Sequence, residues 1–195
     1  LRAVVCINSN SLQHYKSINK NSFLIPNLIG EPFESFDQNL ISQKENTLIY
    51  VGRLDNDKNV AEILDIINQV DLNNFQLKII GDGPSKNDLE NKLNSIENLK
   101  NKVQFLGSKT IPEIYNELEK SKIFLFTSKT ECLPTVLIEA TLMSNALISY
   151  NCKYGPSDII DESNGFLIPM SDKNQFKEKL QFLINQPEEL NKILF

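Results

Sequence analysis

The sequence predicts a doubly wound, Rossmann-like α/β domain, in which a parallel β-sheet is covered by helices on both faces. From Thr47 onward, short apolar runs typical of buried strands alternate with segments whose apolar residues recur at helical spacing. The connections are short, and a strand can reach a parallel neighbour only through a crossover, which the helical segments would supply. This alternation of strand and helix is typical of the α/β class.

Six apolar runs predict the strands, at residues 48–51, 76–80, 103–106, 123–127, 146–149 and 166–168. The helices are predicted from apolar residues three or four positions apart: Val60, Ile63, Leu64, Ile67 and Val70; Leu89, Leu93 and Ile96; a segment entered through 110–113; residues 134–143; and Phe176, Leu180, Leu183 and Ile184. Asn59 and Glu62 are expected to cap the first of these helices.

The first 45 residues follow a different pattern. A strand at 4–7 and a polar, helix-like stretch precede the segment FLIPN at 23–27 and a loop rich in Asn, Gln, Ser and Glu. We interpret residues 1–45 as the remnant of a preceding domain with its linker, and residues 46–195 as the main domain. The chain begins at Leu1 rather than Met, so we expect it to be a fragment.

Composition excludes several classes of function. The net charge is −5, and acidic and basic residues are mixed without a Lys/Arg-rich stripe, which argues against a nucleic-acid surface or a polybasic membrane patch. Three cysteines without a C-x-x-C pair favour a reducing cytoplasm over a disulfide framework. No apolar run approaches the roughly 18 residues of a membrane span. Peripheral association of the full-length protein with the inner face of the membrane stays open.

Arg53 is the first candidate site residue. In open α/β sheets, ligands bind beyond the carboxyl ends of the strands, and Arg53 follows the strand at 48–51. The chain has 18 lysines and two arginines, so a guanidinium here is unusual. Its fork of donors suits phosphate oxygens, and Lys58 adds a second cation. The alternative is a surface pair between Arg53 and Asp55, Asp57 or a neighbouring loop.

Glu131 and Glu139 are the next candidate site residues, at the two ends of the segment ECLPTVLIE at 131–139. The helix that contains Glu139 is apolar nearly all round and is therefore expected to be buried. A buried carboxylate needs a partner, which the vicinal hydroxyls of a ligand could supply. The alternatives are a structural salt bridge for Glu139 and an exposed loop position for Glu131. Pro134 suits the first helical position, where free amides attract a phosphate.

Two other features are given no catalytic role. The segment Asp55-Asn56-Asp57 resembles an Asp-x-Asp pair that could hold a divalent metal ion, but two flanking cations would repel a metal, so no metal site is predicted. His14 lies in a polar stretch and is expected to be solvated.

Taken together, these residues resemble glycosyltransferase family 4, or group 1, the large retaining group with the GT-B architecture of two Rossmann-like domains. The matching segments are IPN at 25–27, YVGRLDNDKN at 50–59, IIGDGP at 79–84, VQFLG at 103–107, TSKTECLPTVLIEA at 127–140, LIS at 147–149, GPSDII at 155–160 and NGFLIP at 164–169. They run in the family's order and cover nearly the whole chain from residue 25. The resemblance implies that 46–195 is the C-terminal, nucleotide-sugar-binding domain.

The resemblance also implies roles for individual residues. Arg53 and Lys58 would neutralise the donor diphosphate, and Glu139 would bind the ribose hydroxyls. Glu131, the first acid of the family's Glu-x7-Glu motif, would contact a donor-sugar hydroxyl and stabilise the charged transition state. Arg53, Lys58 and Glu131 are therefore the predicted catalytic set. Further donor contacts are expected from Gly81, Gln104, Gly107, Ser128, Leu133, Pro134, Thr135 and Val136.

One position departs from the family's pattern. The family usually has Gly after the first Glu, where this chain has Cys132. A side chain at this position resists positive φ and adds bulk beside the sugar. The departure bears on the local backbone path and on the choice of sugar, and not on the fold.

The resemblance implies transfer of a sugar from a nucleoside diphosphate sugar, UDP-linked in our interpretation, to a glycan or lipid-linked acceptor, with retention and without a metal or other cofactor. Synthesis of a bacterial surface polysaccharide, lipopolysaccharide or capsule is the expected setting. The acceptor would bind to the missing N-terminal domain, so the fragment alone should bind nucleotide weakly and transfer little. The alternatives are a nucleotide-sugar epimerase or phosphorylase of the same architecture, and a non-catalytic module that binds a nucleotide or a protein.

Overall fold

The structure is a computed structural model that describes residues 2–27 and 43–194. The strands are β1 (Val4–Cys6), β2 (Ser22–Leu24), β3 (Thr47–Val51), β4 (Gln76–Ile80), β5 (Val103–Gly107), β6 (Ile123–Phe126), β7 (Ala146–Tyr150) and β8 (Gly165–Ile168). The helices are α1 (Ser9–Ile18), α2 (Val60–Ile67), α3 (Lys86–Asn94), α4 (Ile111–Lys120), α5 (Thr135–Leu142), α6 (Lys173–Asn185) and α7 (Pro187–Ile193). Short 3-10 helices lie at Glu97–Leu99 and Pro156–Asp158.

The predicted doubly wound fold is confirmed. Strands β3 to β8 form one parallel sheet in the order β5-β4-β3-β6-β7-β8. The chain runs outward from the central β3 to β5, then returns to β6 on the other side of β3. Because the strand order reverses there, the carboxyl ends of β3 and β6 border the crevice in which such sheets bind ligands.

Side chains from successive strand residues point to opposite faces of the sheet, and each face has its own apolar core. In β3, Leu48 and Tyr50 belong to the larger core, which includes the apolar sides of α2, α3, α6 and α7. Ile49 and Val51 belong to the smaller core, with α4 and α5. Burying a Leu or Ile side chain contributes about 1.5–3 kcal/mol, so these two cores hold β3 rigidly beneath the crevice.

The structure corrects three details of the helices. Asn59 precedes α2 with a backbone in the left-handed region (φ 55°), and its side chain forms no cap hydrogen bond. Its side-chain amide Nδ2 instead donates to the Glu62 carboxylate (3.0 Å). Val70 lies beyond the end of α2. Helix α7 was not predicted, although Pro187 at its first turn, followed by two glutamates, is a recognisable start signal.

The N-terminal residues form a separate small unit. Strands β1 and β2 pair in parallel, and α1 connects them. The predicted strand and helix-like stretch are confirmed, whereas β2, which overlaps the FLIPN segment, was not predicted as a strand. Residues 28–42, including most of the predicted polar loop, lie outside the described residues, so the proposed boundary at 45/46 stays a prediction. Within the described residues, no helix combines the length and the apolar character needed to cross a bilayer.

Candidate functional site

A cavity of about 310 Å3 opens at the carboxyl ends of β3 and β6, where the strand order reverses. Its lining residues are Tyr50, Val51, Gly52, Arg53, Lys58, Phe126, Glu131, Leu133, Pro134, Thr135, Val136 and Glu139. The fold therefore brings all four predicted charged residues into one cavity, together with the four predicted donor contacts at 133–136.

Lys58 and Glu131 form an ion pair across the cavity between Lys58 Nζ and Glu131 Oε1. Glu131 is largely buried, with 10% of its side chain exposed, and so does not occupy the exposed loop position weighed as its alternative. Further bonds join the two loops: Thr127 Oγ1 donates to the Lys58 carbonyl (3.2 Å), and the Lys129 amide donates to the Asp57 carbonyl (2.8 Å). The loops after β3 and β6 thus form one connected rim.

Arg53 lines the cavity and is also paired with Asp55. Its Nε lies 3.3 Å from Asp55 Oδ2, and 70% of the Arg53 side chain is exposed. The ion pair with Asp55 that was considered as an alternative is therefore present. It involves only the Nε edge of the guanidinium. The rest of the guanidinium can reach a ligand at the cavity mouth.

Tyr50 was not predicted as a site residue. Its hydroxyl donates to the Arg53 carbonyl (3.0 Å), and Tyr50 is among the lining residues of the cavity. Burial raises its pKa, and the carboxylates of Asp55 and Glu131 raise it further, so the hydroxyl stays a donor at neutral pH. Nothing in an apolar strand segment distinguishes such a residue from an ordinary core tyrosine.

Helix α5 directs its first turn at the cavity. Pro134 is its N-cap residue and no side chain caps it, so the first amides can donate to an anion. The expectation that this helix is buried all round was wrong: Leu137 and Ala140 are buried, whereas Leu142 is 39% exposed. One side of α5 packs on the smaller core, and Glu139 lies on the side that faces the cavity.

The Glu139 carboxylate is half-buried, and burial raises its pKa. Within residues 2–27 and 43–194, no ion pair involves Glu139. The contacts of the described residues therefore do not support a structural salt bridge. A half-buried acid that faces a cavity is suited to accept hydrogen bonds from ligand hydroxyls.

The other predicted donor contacts lie outside the cavity lining. Gly81 and Gly107 border the same edge of the sheet and are joined by a hydrogen bond from the Gly81 amide to the Gly107 carbonyl (2.8 Å). Gln104 is the second residue of β5, about 10 Å along the strand from that edge. Ser128 is buried, and its hydroxyl has no hydrogen-bond partner among the described residues. Gln104 and Ser128 are thus not among the residues that line the cavity, and their donor contacts stay predictions.

The loop that carries Glu131 is held from outside by residues that the sequence did not indicate. Asn8 Nδ2, at the start of α1, donates to the Cys132 carbonyl (2.9 Å). Cys132 is not among the described residues with positive φ, so the side chain in place of the usual glycine causes no backbone strain. On the other side, Gly155 packs against Pro134 with φ +95°.

Replacing Gly155 with alanine is expected to lower the free energy of unfolding by about 2–4 kcal/mol. A Cβ at this position would lie 2.4 Å from Pro134 Cδ and 3.2 Å from the Cys132 carbonyl oxygen. Gly107→Ala is the control, because Gly107 also has positive φ (+68°) but has no atom within 4 Å of the added carbon. Urea unfolding should show a clearly larger loss of unfolding free energy for G155A than for G107A. Equal losses would contradict the close packing of Gly155 against Pro134.

Within the described residues, no group of three His, Cys, Asp or Glu side chains is arranged to hold a metal ion. Instead, Asp55 contacts backbone amides and Arg53. His14 is exposed, as predicted. A smaller cavity of about 180 Å3, bordered by Asn56 and Lys92, contains none of the predicted site residues.

Comparison with known proteins shows which family and fold the chain resembles. A family described as glycosyl transferases group 1 matches residues 32–194. An alpha-1,4-N-acetyl-D-galactosaminyltransferase of Campylobacter jejuni, named for a PP-undecaprenol-linked glycan, is 36% identical over 156 residues, covering 77% of this chain and 41% of the relative. The amylovoran biosynthesis glycosyltransferase AmsD of Erwinia amylovora is 33% identical over 170 residues, covering 85% and 47%. The chain spans less than half the length of these relatives.

Among solved structures, TarM from S. aureus, in a complex that includes UDP, superimposes with a TM-score of 0.85 at 22% identity. The match covers 100% of this chain and 39% of that chain. At this level of identity, the likeness concerns the fold alone.

Proposed function

The chain belongs to the group 1 glycosyl transferases, and we propose that it is the donor-binding domain of a retaining transferase that uses a nucleoside diphosphate sugar. One observation carries this proposal. Two cations, two carboxylates and the first turn of α5 line a single cavity at the point where the strand order reverses. Family membership does not favour the epimerase or non-catalytic alternatives.

The diphosphate binds between the two cations and the helix. Arg53, Lys58 and the first turn of α5 all line the cavity. In this proposal the guanidinium, the ammonium and the first helix amides together neutralise the leaving diphosphate without a metal. As the bond between the anomeric carbon and the phosphate oxygen breaks, negative charge accumulates on that oxygen. Preformed donors stabilise this charge most in the transition state.

Glu131 and Glu139 bind the two ends of the donor. Glu139 accepts hydrogen bonds from the ribose hydroxyls, since its half-buried carboxylate forms no ion pair among the described residues. Glu131 exchanges its contact with Lys58 for a hydroxyl of the donor sugar when the diphosphate engages Lys58. Its negative charge then lies near the developing positive charge on the sugar ring.

The donor is a UDP-linked sugar, and the acceptor is a glycan or lipid-linked glycan of a bacterial surface polysaccharide, lipopolysaccharide or capsule. The UDP in the TarM complex and the polysaccharide-related names of the two relatives support this choice. The acceptor binds mainly to a part of the full-length protein outside this chain, which spans less than half the length of the relatives that it matches. Chromatography and NMR of the product, with the full-length protein, test retention at the anomeric carbon.

A thermal-shift panel on this chain tests the donor assignment. UDP and UDP-sugars at millimolar concentration should raise the midpoint of unfolding more than UMP, uridine or GDP, because a ligand that binds only the folded state stabilises it. The Arg53→Ala/Glu139→Ala double variant should lose this increase. The proposal is wrong if no nucleotide raises the midpoint, or if the double variant responds as the wild type does.

A further inference from the structure

The loop after β3 is organised around one carboxylate, that of Asp55. Its Oδ1 accepts hydrogen bonds from the backbone amides of Asp57 (3.1 Å) and Lys58 (3.0 Å). Its Oδ2 lies 3.3 Å from Nε of Arg53. Asp55 therefore contacts both residues that supply cations to the cavity, although it is not itself a lining residue.

In the pair with Arg53, Asp55 is the fixed partner. Its side chain is 22% exposed and is held by two backbone amides, whereas the Arg53 side chain is 70% exposed. An exposed ion pair of this kind adds little to the stability of the fold. A free arginine side chain, however, loses rotamer entropy when a ligand immobilises it. The effect of Asp55 is therefore to restrict Arg53 before the ligand arrives.

The geometry lets Asp55 and an anion use the same guanidinium. A guanidinium has five N–H donors in a planar fork, and the Asp55 contact is made at Nε. The two terminal nitrogens remain for a bidentate contact with phosphate oxygens. Asp55 and a diphosphate are thus additive partners of Arg53 rather than competitors.

We propose that Asp55 is a positioning residue of the donor site, which holds the Arg53 guanidinium and the Lys58 backbone in place for a diphosphate. The inference rests on the proposed function. It assigns a favourable effect on anion binding to a negatively charged side chain. If Asp55 acted only through charge repulsion, its removal would strengthen the binding of an anion. The direction of the change in affinity therefore decides between positioning and repulsion.

The test compares Asp55→Asn with Asp57→Asn in calorimetric titrations of this chain with UDP and UMP. Asparagine keeps an oxygen for the two amides but loses the charge that holds Arg53. We expect D55N to weaken UDP binding about 10-fold and to reduce the ratio of UDP to UMP affinity. D57N removes the same charge from the same loop, and no described hydrogen bond or ion pair involves the Asp57 side chain; its UDP affinity should be unchanged or higher.

An Arg53→Ala background separates positioning from a general structural effect. If Asp55 acts through Arg53, D55N should weaken UDP binding little further in R53A, which a double-mutant cycle measures. Asp55→Ser, which also offers an oxygen to the two amides, should repeat the result if D55N unfolds.

The outcomes distinguish this inference from the proposed function. UDP binding by D55N that equals or exceeds that of the wild type, while R53A binds weakly, overturns the role of Asp55 and leaves the donor site intact. The role of Asp55 is also overturned if D55N weakens UDP binding as much in the R53A background as in the wild type. Equal UDP binding by wild type and R53A contradicts the proposed function itself.

Discussion

Alanine in place of Arg53 or Lys58 is expected to lower the rate of glycosyl transfer about 100-fold or more. Each variant removes a preformed positive charge from the place where the leaving diphosphate gains negative charge, and losses of this size follow removal of one such donor in other enzymes. The measurement is the steady-state rate with saturating donor, in the full-length transferase that carries this chain.

Conservative and remote variants sharpen this prediction. Arg53→Lys keeps the charge but loses the planar fork, so its rate should fall between those of the wild type and R53A. Lys100→Ala removes an exposed lysine that is paired with Glu97 away from the cavity and should leave the rate unchanged. A loss of less than about 3-fold for both R53A and K58A would exclude these residues from stabilising the leaving group.

Glutamine in place of Glu139 is expected to stabilise the ligand-free protein and to weaken nucleotide binding about 10- to 100-fold. Burial raises the folded-state pKa of Glu139 above its ordinary value of 4.5, so ionisation opposes folding at neutral pH. The neutral amide avoids this penalty. It also exchanges charged hydrogen bonds to the ribose hydroxyls for weaker neutral ones, which accounts for the lost affinity.

The pH dependence of this stabilisation has a definite sign. Because the folded-state pKa is raised, the penalty is fully present above that pKa and disappears as the pH falls below 4.5, where the carboxyl is protonated in both states. Unfolding curves of wild type and E139Q should therefore converge at low pH. Glu117→Gln is the control, because Glu117 is paired with Lys78 (2.9 Å) and its loss should not stabilise the protein. A less stable E139Q at pH 7 would contradict this account.

The strands could be predicted because apolar runs separated by helical patterns leave few alternatives to a parallel sheet. The site could be predicted in outline for the same reason, since residues after parallel strands meet at one edge. Gln104 shows the limit of that reasoning: it belongs to a matching segment, but it lies within β5 and not at its carboxyl end.

The partner of each charge could not be predicted, because it depends on side-chain positions across loops that are distant in sequence. The ion pair between Lys58 and Glu131 joins residues 73 positions apart. Sequence spacing likewise gives no indication that the Asn8 side chain donates to the Cys132 carbonyl. It also does not indicate that the Tyr50 hydroxyl donates to the Arg53 carbonyl. The exposed side of α5 was missed because its apolar composition indicates burial, whereas only one side packs on the sheet.

The central claim is that UDP binds in the cavity lined by Arg53, Lys58 and Glu139. The most direct test is a crystal structure of this chain with UDP bound. We predict the diphosphate between Arg53, Lys58 and the first turn of α5, with the ribose hydroxyls within hydrogen-bond distance of Glu139. UDP bound elsewhere, such as in the cavity beside Asn56 and Lys92, with no contact to Arg53 or Glu139, would contradict the assignment.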